Sequence, residues 1–399
     1  MSLVHGRPYL AIPGPSVMPD RVLQAMHRPA PNIYFGELVD MVASIIIDLR
    51  RVAQTRHHAA IYIANGHGVW EASVANILNP GDRVLVLSTG HFAKGWGEMA
   101  RRIGAVVETL EFGQRSAADP ARLADVLRAD RDHQIKAVLA VQVDTATGIR
   151  NDVPAMRAAL DSTGHPALLM VDCIASLGCD RFEMDAWGVD VMVTASQKGL
   201  MTPPGLGFVF FNDKAAGVRA GVTQVSSYWD WVPRVDPVHF PNHFCGTAPT
   251  HHLFALRAAL TILLDEEGLD AAMHRHARLA QAVWAACDAW GAAGPLEINV
   301  TDPAERSHAV TALRIGAEHG TRLRNWVGET TGVTLGIGLG MAPADTPDWH
   351  GFFRIGHMGH VNAHMIMGVL GSIQAGLTAL DIPHGPGALD AAAAVMARG

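Results

Sequence analysis

"VDVMVTASQKGLMTPPGLGFVFF", residues 189–211, decides how this chain is read. An apolar run ends near Thr194, a lone lysine follows at Lys198, and a turn closes with Pro203, Pro204 and Gly205. A second apolar run then begins. Runs with so little polar alternation suit strands covered on both faces. A lysine at the end of such a strand is partly desolvated, which disfavours its ammonium form. The neutral amine is a nucleophile toward an aldehyde. Lysine is scarce here, with four residues (94, 136, 198 and 214) among 31 lysines and arginines. Lys136 and Lys214 sit in ordinary solvated places, whereas Lys94 and Lys198 have unusual surroundings.

Outward from this stretch, short Val-, Leu- and Ile-rich runs recur at 59–64, 83–88, 105–112, 136–143, 167–172, 190–196 and 207–211. Helical stretches at 69–78, 94–104, 119–130 and 153–164 separate most of them. This alternation predicts an α/β fold with a mostly parallel sheet covered by helices on both sides. From 252 to 292 the pattern turns helical, with a break at Gly268. Beyond it, strands near 308–315 and 351–356 and a helix near 361–379 predict a smaller α+β unit. The expected division is an N-terminal arm at 1–20, a large domain at 21–268 and a small C-terminal domain at 269–399.

Composition limits the function. Hydrophobic residues make up 49% and charged residues 17%, enough to bury a large core. A formal charge of −7 argues against nucleic-acid binding. Four cysteines without CxxC spacing suggest free thiols in a reducing compartment. The first residues lack the pattern of a signal peptide, and no apolar run approaches the length of a membrane span. The expectation is a cytoplasmic protein with no membrane partner.

In an open α/β sheet, ligands collect at the carboxyl ends of the strands. There "NGHG" places Gly66, His67 and Gly68 at a helix start, where free N–H groups suit a phosphate, although a plain tight turn reads the same way. "TGHFAKG" brings Phe92 to the same edge, as a ring platform or as core. "DTATG" carries Thr145. Asp172 ends a fully apolar strand, where a carboxylate needs a cationic partner unless it caps a turn. Together with Lys198 these parts match pyridoxal 5′-phosphate: an amine for a Schiff base, a phosphate anchor, a stacking ring and a carboxylate for the pyridine nitrogen.

The chain resembles the class V, fold-type I aminotransferases of the alanine–glyoxylate, serine–glyoxylate and serine–pyruvate group. The motifs "PGPS" (13–16), "NGHG", "DTATG", "VDCIASLG", "SQKGLMTPPG", "SYWDW" (227–231) and "FRIGHMG" (353–359) carry it, in order, over nearly the whole chain. The resemblance implies a seven-stranded, mostly parallel sheet in the large domain. It implies Lys198 as the Schiff-base lysine that also moves the α-proton, Asp172 on the pyridine nitrogen, Ile174 against one ring face and Phe92 against the other. Phe92 replaces the tryptophan of many relatives. Thr145 would bond the ring hydroxyl, and Gly66, His67, Gly68 and Gln197 would hold the phosphate. Arg354 would clamp the substrate carboxylate by its bidentate geometry, with Gly14 and Tyr228 near the substrate. Relatives are homodimers whose sites borrow phosphate ligands across the interface. "FCGTAPTHH" (244–252) matches that segment, with Thr247 as the borrowed hydroxyl and Phe244 where some relatives carry tyrosine. "NIYFGELVDM" (32–41) departs from the "HR…EF" pattern of serine–glyoxylate relatives near the substrate.

The implied activity is transamination between alanine or serine and glyoxylate or pyruvate. Pyridoxamine–pyruvate transamination is the alternative, with a lyase or cysteine desulfurase behind it. A desulfurase ordinarily has a histidine before the lysine, where Gln197 stands, and a loop cysteine, for which Cys245 is the candidate. His357, His360 and His364 share zinc-like spacing but lack an acidic or cysteine companion, so no metal is expected. "GIGLG" (336–340) lacks the βαβ unit of a dinucleotide site.

Overall fold

The structure is a computed structural model, and it describes residues 3–398. Seven strands form the large sheet: β1 (His58–Tyr62), β2 (Arg83–Ser88), β3 (Val106–Glu111), β4 (Ile135–Val141), β5 (Leu168–Asp172), β6 (Val191–Ala195) and β7 (Gly207–Phe211). Their order is β1-β7-β6-β5-β4-β2-β3, and only β7 runs antiparallel to its neighbours. The seven apolar runs read from the sequence are these seven strands.

Strand pleating explains why the central runs are apolar throughout, whereas β3, at the exposed edge, carries Glu108, Thr109 and Glu111. In β2, Leu85 and Leu87 point into one hydrophobic cluster while Val84 and Val86 point into another. In β5, Leu169 and Val171 face the first cluster, and Leu168 and Met170 the second. Successive side chains leave opposite faces of a sheet, so a strand covered on both sides has no solvent face to make polar. Helices Glu37–Ala53, Pro120–Ala129 and Val153–Thr163 cover the first face. Helices Gly66–Ala75 and His91–Arg102 cover the second.

The remaining structure builds a five-stranded sheet in the order Tyr9–Ala11, Val333–Ile337, Phe352–Gly356, Val310–Arg314, Glu297–Ile298. The 23-residue helix Leu269–Gly291 and helix Ala363–Ala379 pack on its core. Gly268, at φ +86°, turns the chain into the long helix. The first strand, Tyr9–Ala11, lies parallel to Val333–Ile337 at the sheet edge. The N-terminal segment is therefore hydrogen-bonded into the small sheet and then reaches Gln197 and Lys198 of the large domain. No helix among the described residues is long and apolar enough to cross a membrane.

Candidate active site

Because six strands of the large sheet point the same way, the loops after β1, β2, β4, β5 and β6 emerge along one edge. They enclose a cavity of about 260 Å³ lined by Asn65, Gly66, His67, Trp70, Phe92, Val143, Thr145, Asp172, Ile174, Ala175, Gln197 and Lys198. Eight of the residues singled out in the sequence thus meet in one place, although they span more than 130 positions.

At one end stands the N-terminus of helix Gly66–Ala75. Asn65 caps it, its side-chain oxygen accepting from Gly68 N at 3.2 Å. The N–H groups of Gly66 and His67 precede the first intrahelical bonds and face the cavity end, with the positive pole of the helix behind them. A side chain at Gly66 would set its Cβ 2.7 Å from Ile174 Cδ1, so any larger residue there must displace the end of the Ile174 side chain. Burial lowers the pKa of His67, which favours its neutral ring. The side-chain oxygen of Gln197 is buried without a hydrogen-bond partner among the described residues.

At the other end Asp172 closes β5, paired across the ladder with Val141 and Val193. Its two oxygens each take one donor: Ile174 N at 2.6 Å and the Trp70 indole N–H at 2.8 Å. Burial pushes its pKa up to about 7, against the pull of those two hydrogen bonds. Lys198 lies beyond the end of β6, where burial and then the charge of Arg354 bring its pKa down to about 8. Desolvation outweighs the mutual attraction of amine and carboxylate, so both groups move toward neutrality.

The N-terminal segment holds the lysine from above. Lys198 Nζ donates to Pro13 O, Ser16 Oγ donates to Lys198 O at 2.7 Å, and Ser16 N donates to Gln197 O at 2.9 Å. Gly14, at φ +89°, is where the segment passes closest: a Cβ there would lie 2.5 Å from Lys198 Nζ. Positive φ and lack of room both require glycine.

Phe92 is oriented through its backbone. Its N–H donates to Asp144 at 2.9 Å, and its ring meets Trp70 edge-on at 6.1 Å. Asp144 is fully buried and also accepts from Ala93 and Ala146. Arg354, on Phe352–Gly356, reaches over from the small sheet. It donates to Ile337 O at 2.6 Å and to Thr145 O at 2.7 Å, and its Nη2 makes no hydrogen bond among the described residues. Burial lowers its pKa to about 10, and it remains a cation.

Residues 49–364 match the aminotransferase class-V family. The chain belongs to that family. Curated relatives of this class-V aminotransferase include the serine–glyoxylate aminotransferase of Methylorubrum extorquens, 34% identical with 97% of this chain and 95% of the relative covered. The L-aspartate–glyoxylate aminotransferase of Paracoccus denitrificans is 33% identical over 93% of this chain and 91% of its own. Among solved structures, pyridoxamine–pyruvate aminotransferase from Mesorhizobium loti superposes with a TM-score of 0.87 over 98% of each chain, at 24% identity. At that identity the likeness establishes the fold, which is that of the fold-type I aminotransferases.

The family implies pyridoxal phosphate, and the donor set of this class-V aminotransferase fits it. The cavity lining offers an amine at Lys198, a carboxylate at Asp172, the side chains of Phe92 and Ile174 where a ring would be covered, and a helix N-terminus with the Gln197 side-chain oxygen, which has no hydrogen-bond partner among the described residues. Not every residue singled out in the sequence joins the cavity. Lys94 does not: its side chain is solvent-exposed and paired with Glu111 at 3.0 Å. A helix position beside an exposed edge strand sends a long cation outward. Tyr228 is spent elsewhere, its hydroxyl donating to Ile63 O at 3.0 Å and its ring lying by Arg234. Gly68 does not line the cavity, its N–H donating to the capping side chain of Asn65, and Thr247 lies on an exposed loop away from it. His357 is fully buried, bonded to Thr311 and to His308 O. No group of three or more His, Cys, Asp or Glu among the described residues could hold a metal ion. Sequence reading missed Trp70, Asp144, Asn65 and Pro13. The signal for Trp70 was its position four residues after Gly66, one turn along the same helix face.

Proposed function

We propose that this aminotransferase holds pyridoxal 5′-phosphate through Lys198 and transfers the amino group of serine or alanine to glyoxylate or pyruvate. The observation that carries the reading is the enclosure of a depressed-pKa amine, Lys198, and a buried carboxylate, Asp172, in one cavity with a helix N-terminus at its end. When bound, the cofactor supplies an electron sink that stabilises negative charge at the substrate α-carbon.

The residues divide the work as follows. With a pKa near 8, roughly a quarter of the Lys198 amines are neutral at pH 7.5, against roughly a thousandth for a free lysine. That amine is the base for the α-proton. Asp172 would stand by the pyridine nitrogen of the bound cofactor and favour its protonation. Phe92 and Ile174 would cover its ring, and Thr145 would bond its hydroxyl. Gly66, His67 and Gln197 take the phosphate, with Thr247 contributed by the partner in a homodimer. Arg354 binds the substrate carboxylate with the guanidinium edge that its backbone partners leave over, beside Gly14. Among the described residues the cavity lining includes no arginine that could pair with an acidic side chain, which favours a small neutral donor. Four unpaired cysteines suit action in the cytoplasm.

A half-reaction screen tests the proposal. The purified, cofactor-loaded protein is mixed with single amino acids and with pyridoxamine while the visible absorbance is followed. Bleaching by serine or alanine within seconds is the expected result. Bleaching by pyridoxamine alone would transfer the assignment to pyridoxamine–pyruvate chemistry. Steady-state kinetics should be ping-pong, and convergent ternary-complex patterns would refute the scheme.

A further inference from the structure

We propose that Trp70 is a positioning residue of the transamination site, its indole N–H holding the Asp172 carboxylate turned toward the cavity. The proposal rests on the reading that Asp172 faces the pyridine nitrogen.

The geometry is one donor for each carboxylate oxygen. Ile174 N binds Oδ1 at 2.6 Å and Trp70 Nε1 binds Oδ2 at 2.8 Å. An ionised carboxylate accepts both bonds without conflict. A protonated one must place its own hydrogen on an oxygen that already receives a donor. The pair of donors therefore favours the ionised state that a pyridinium needs opposite it, against the burial that opposes it. The backbone donor is fixed by the turn after β5. The indole is the half of the arrangement that a substitution can remove.

Trp70 is also built not to move. It is almost fully buried, and a Cβ at Gly95 would already lie 3.1 Å from its ring. His67 packs edge-on at 4.7 Å and Phe92 at 6.1 Å. One indole thus touches residues at the phosphate end, the ring face and the ring-nitrogen end. Burial alone does not decide whether an indole is paired in this fold: Trp284 and Trp290 donate to Thr311 and Gln374, whereas the buried N–H groups of Trp96 and Trp231 have no partner among the described residues. Trp70 is distinguished by its acceptor, a buried carboxylate that lines the cavity.

The other titratable groups around Asp172 are Asp144, Lys198 and the thiol of Cys173, and the experiment leaves all three unchanged. Cofactor-free protein is prepared with ¹³C in the aspartate carboxyls. The Asp172 signal is assigned by its loss in Asp172→Asn and titrated from pH 4 to 9. Trp70→Phe removes the donor. Replacement of Trp70 by 3-benzothienylalanine removes it while keeping the indole outline, which covers the case that phenylalanine leaves the core too loose to fold. The expected result is a rise of about one pH unit in the Asp172 midpoint in either variant. In the loaded enzyme, kcat should fall about tenfold with KM for the best donor within about twofold. A midpoint within about 0.3 unit of wild type in the folded variants would overturn the proposal. An unchanged kcat in Asp172→Asn would remove the reading of Asp172 itself, and the proposal with it.

Discussion

The ionisation of Lys198 can be tested through the rate at which cofactor-free protein captures pyridoxal phosphate. If only the neutral amine attacks the aldehyde, the rate follows the neutral fraction. A pKa near 8 makes that fraction roughly 9% at pH 7, 50% at pH 8 and 91% at pH 9. The second-order rate should rise about fivefold from pH 7 to 8 and less than twofold from 8 to 9. An ordinary lysine would instead gain close to tenfold in each step. Stopped-flow absorbance at several cofactor concentrations separates this step from phosphate docking. Two variants move the half-point in opposite directions. Arg354→Gln removes a cation that lowers the lysine pKa, so the midpoint moves up. Asp172→Asn removes an anion that raises it, so the midpoint moves down. A wild-type rate still climbing tenfold per unit through pH 9, or both variants shifting the same way, would refute the reasoning.

Gly14→Ala should cost at least about tenfold in kcat/KM, because the new methyl meets Lys198 and the backbone sits at φ +89°; thermal melts check that the fold survives. The buried Asp172 binds its proton more tightly in the folded state, so it weakens the cofactor-free protein as pH rises from about 4 to 7. Its shift from 3.8 to about 7 corresponds to about 4 kcal/mol, and Asp172→Asn should flatten that part of a denaturant-versus-pH series. An unaltered slope would show that other groups carry it. Gly66→Ala should weaken cofactor binding about tenfold or more by forcing Ile174 off its position, read by equilibrium dialysis of the cofactor.

Much of the architecture is legible in the chain because each central strand buries both faces, and "RVLVLS" or "ALLMVD" cannot then be mistaken for amphipathic helix. Asp172 and Lys198 stand out for the same reason, as charged residues ending apolar runs. Trp70 does not stand out. It lies in "GVWEASVANIL", where a large ring reads as core, and its meaning depends on an aspartate about one hundred residues away. Asp144 is concealed beside Thr145, since its partners are backbone N–H groups that carry no side-chain signature. Lys94 misleads in the other direction: its neighbours in sequence border the cavity, yet the helix turns it to solvent. The pairing of Tyr9–Ala11 with Val333–Ile337 ties the N-terminal segment into the small sheet, and no local pattern announces it.

That pairing has a practical bearing on any attempt to shorten the protein. The residues that latch Lys198, Pro13 and Ser16, follow only two and five positions after the edge strand ends at Ala11. Trimming the chain ahead of Tyr9 spares the latch, whereas a cut between Tyr9 and Ser16 both strips an outer strand and unclasps the amine. A fragment beginning at residue 21 would keep every strand of the large sheet and still lack the grip on its own nucleophile.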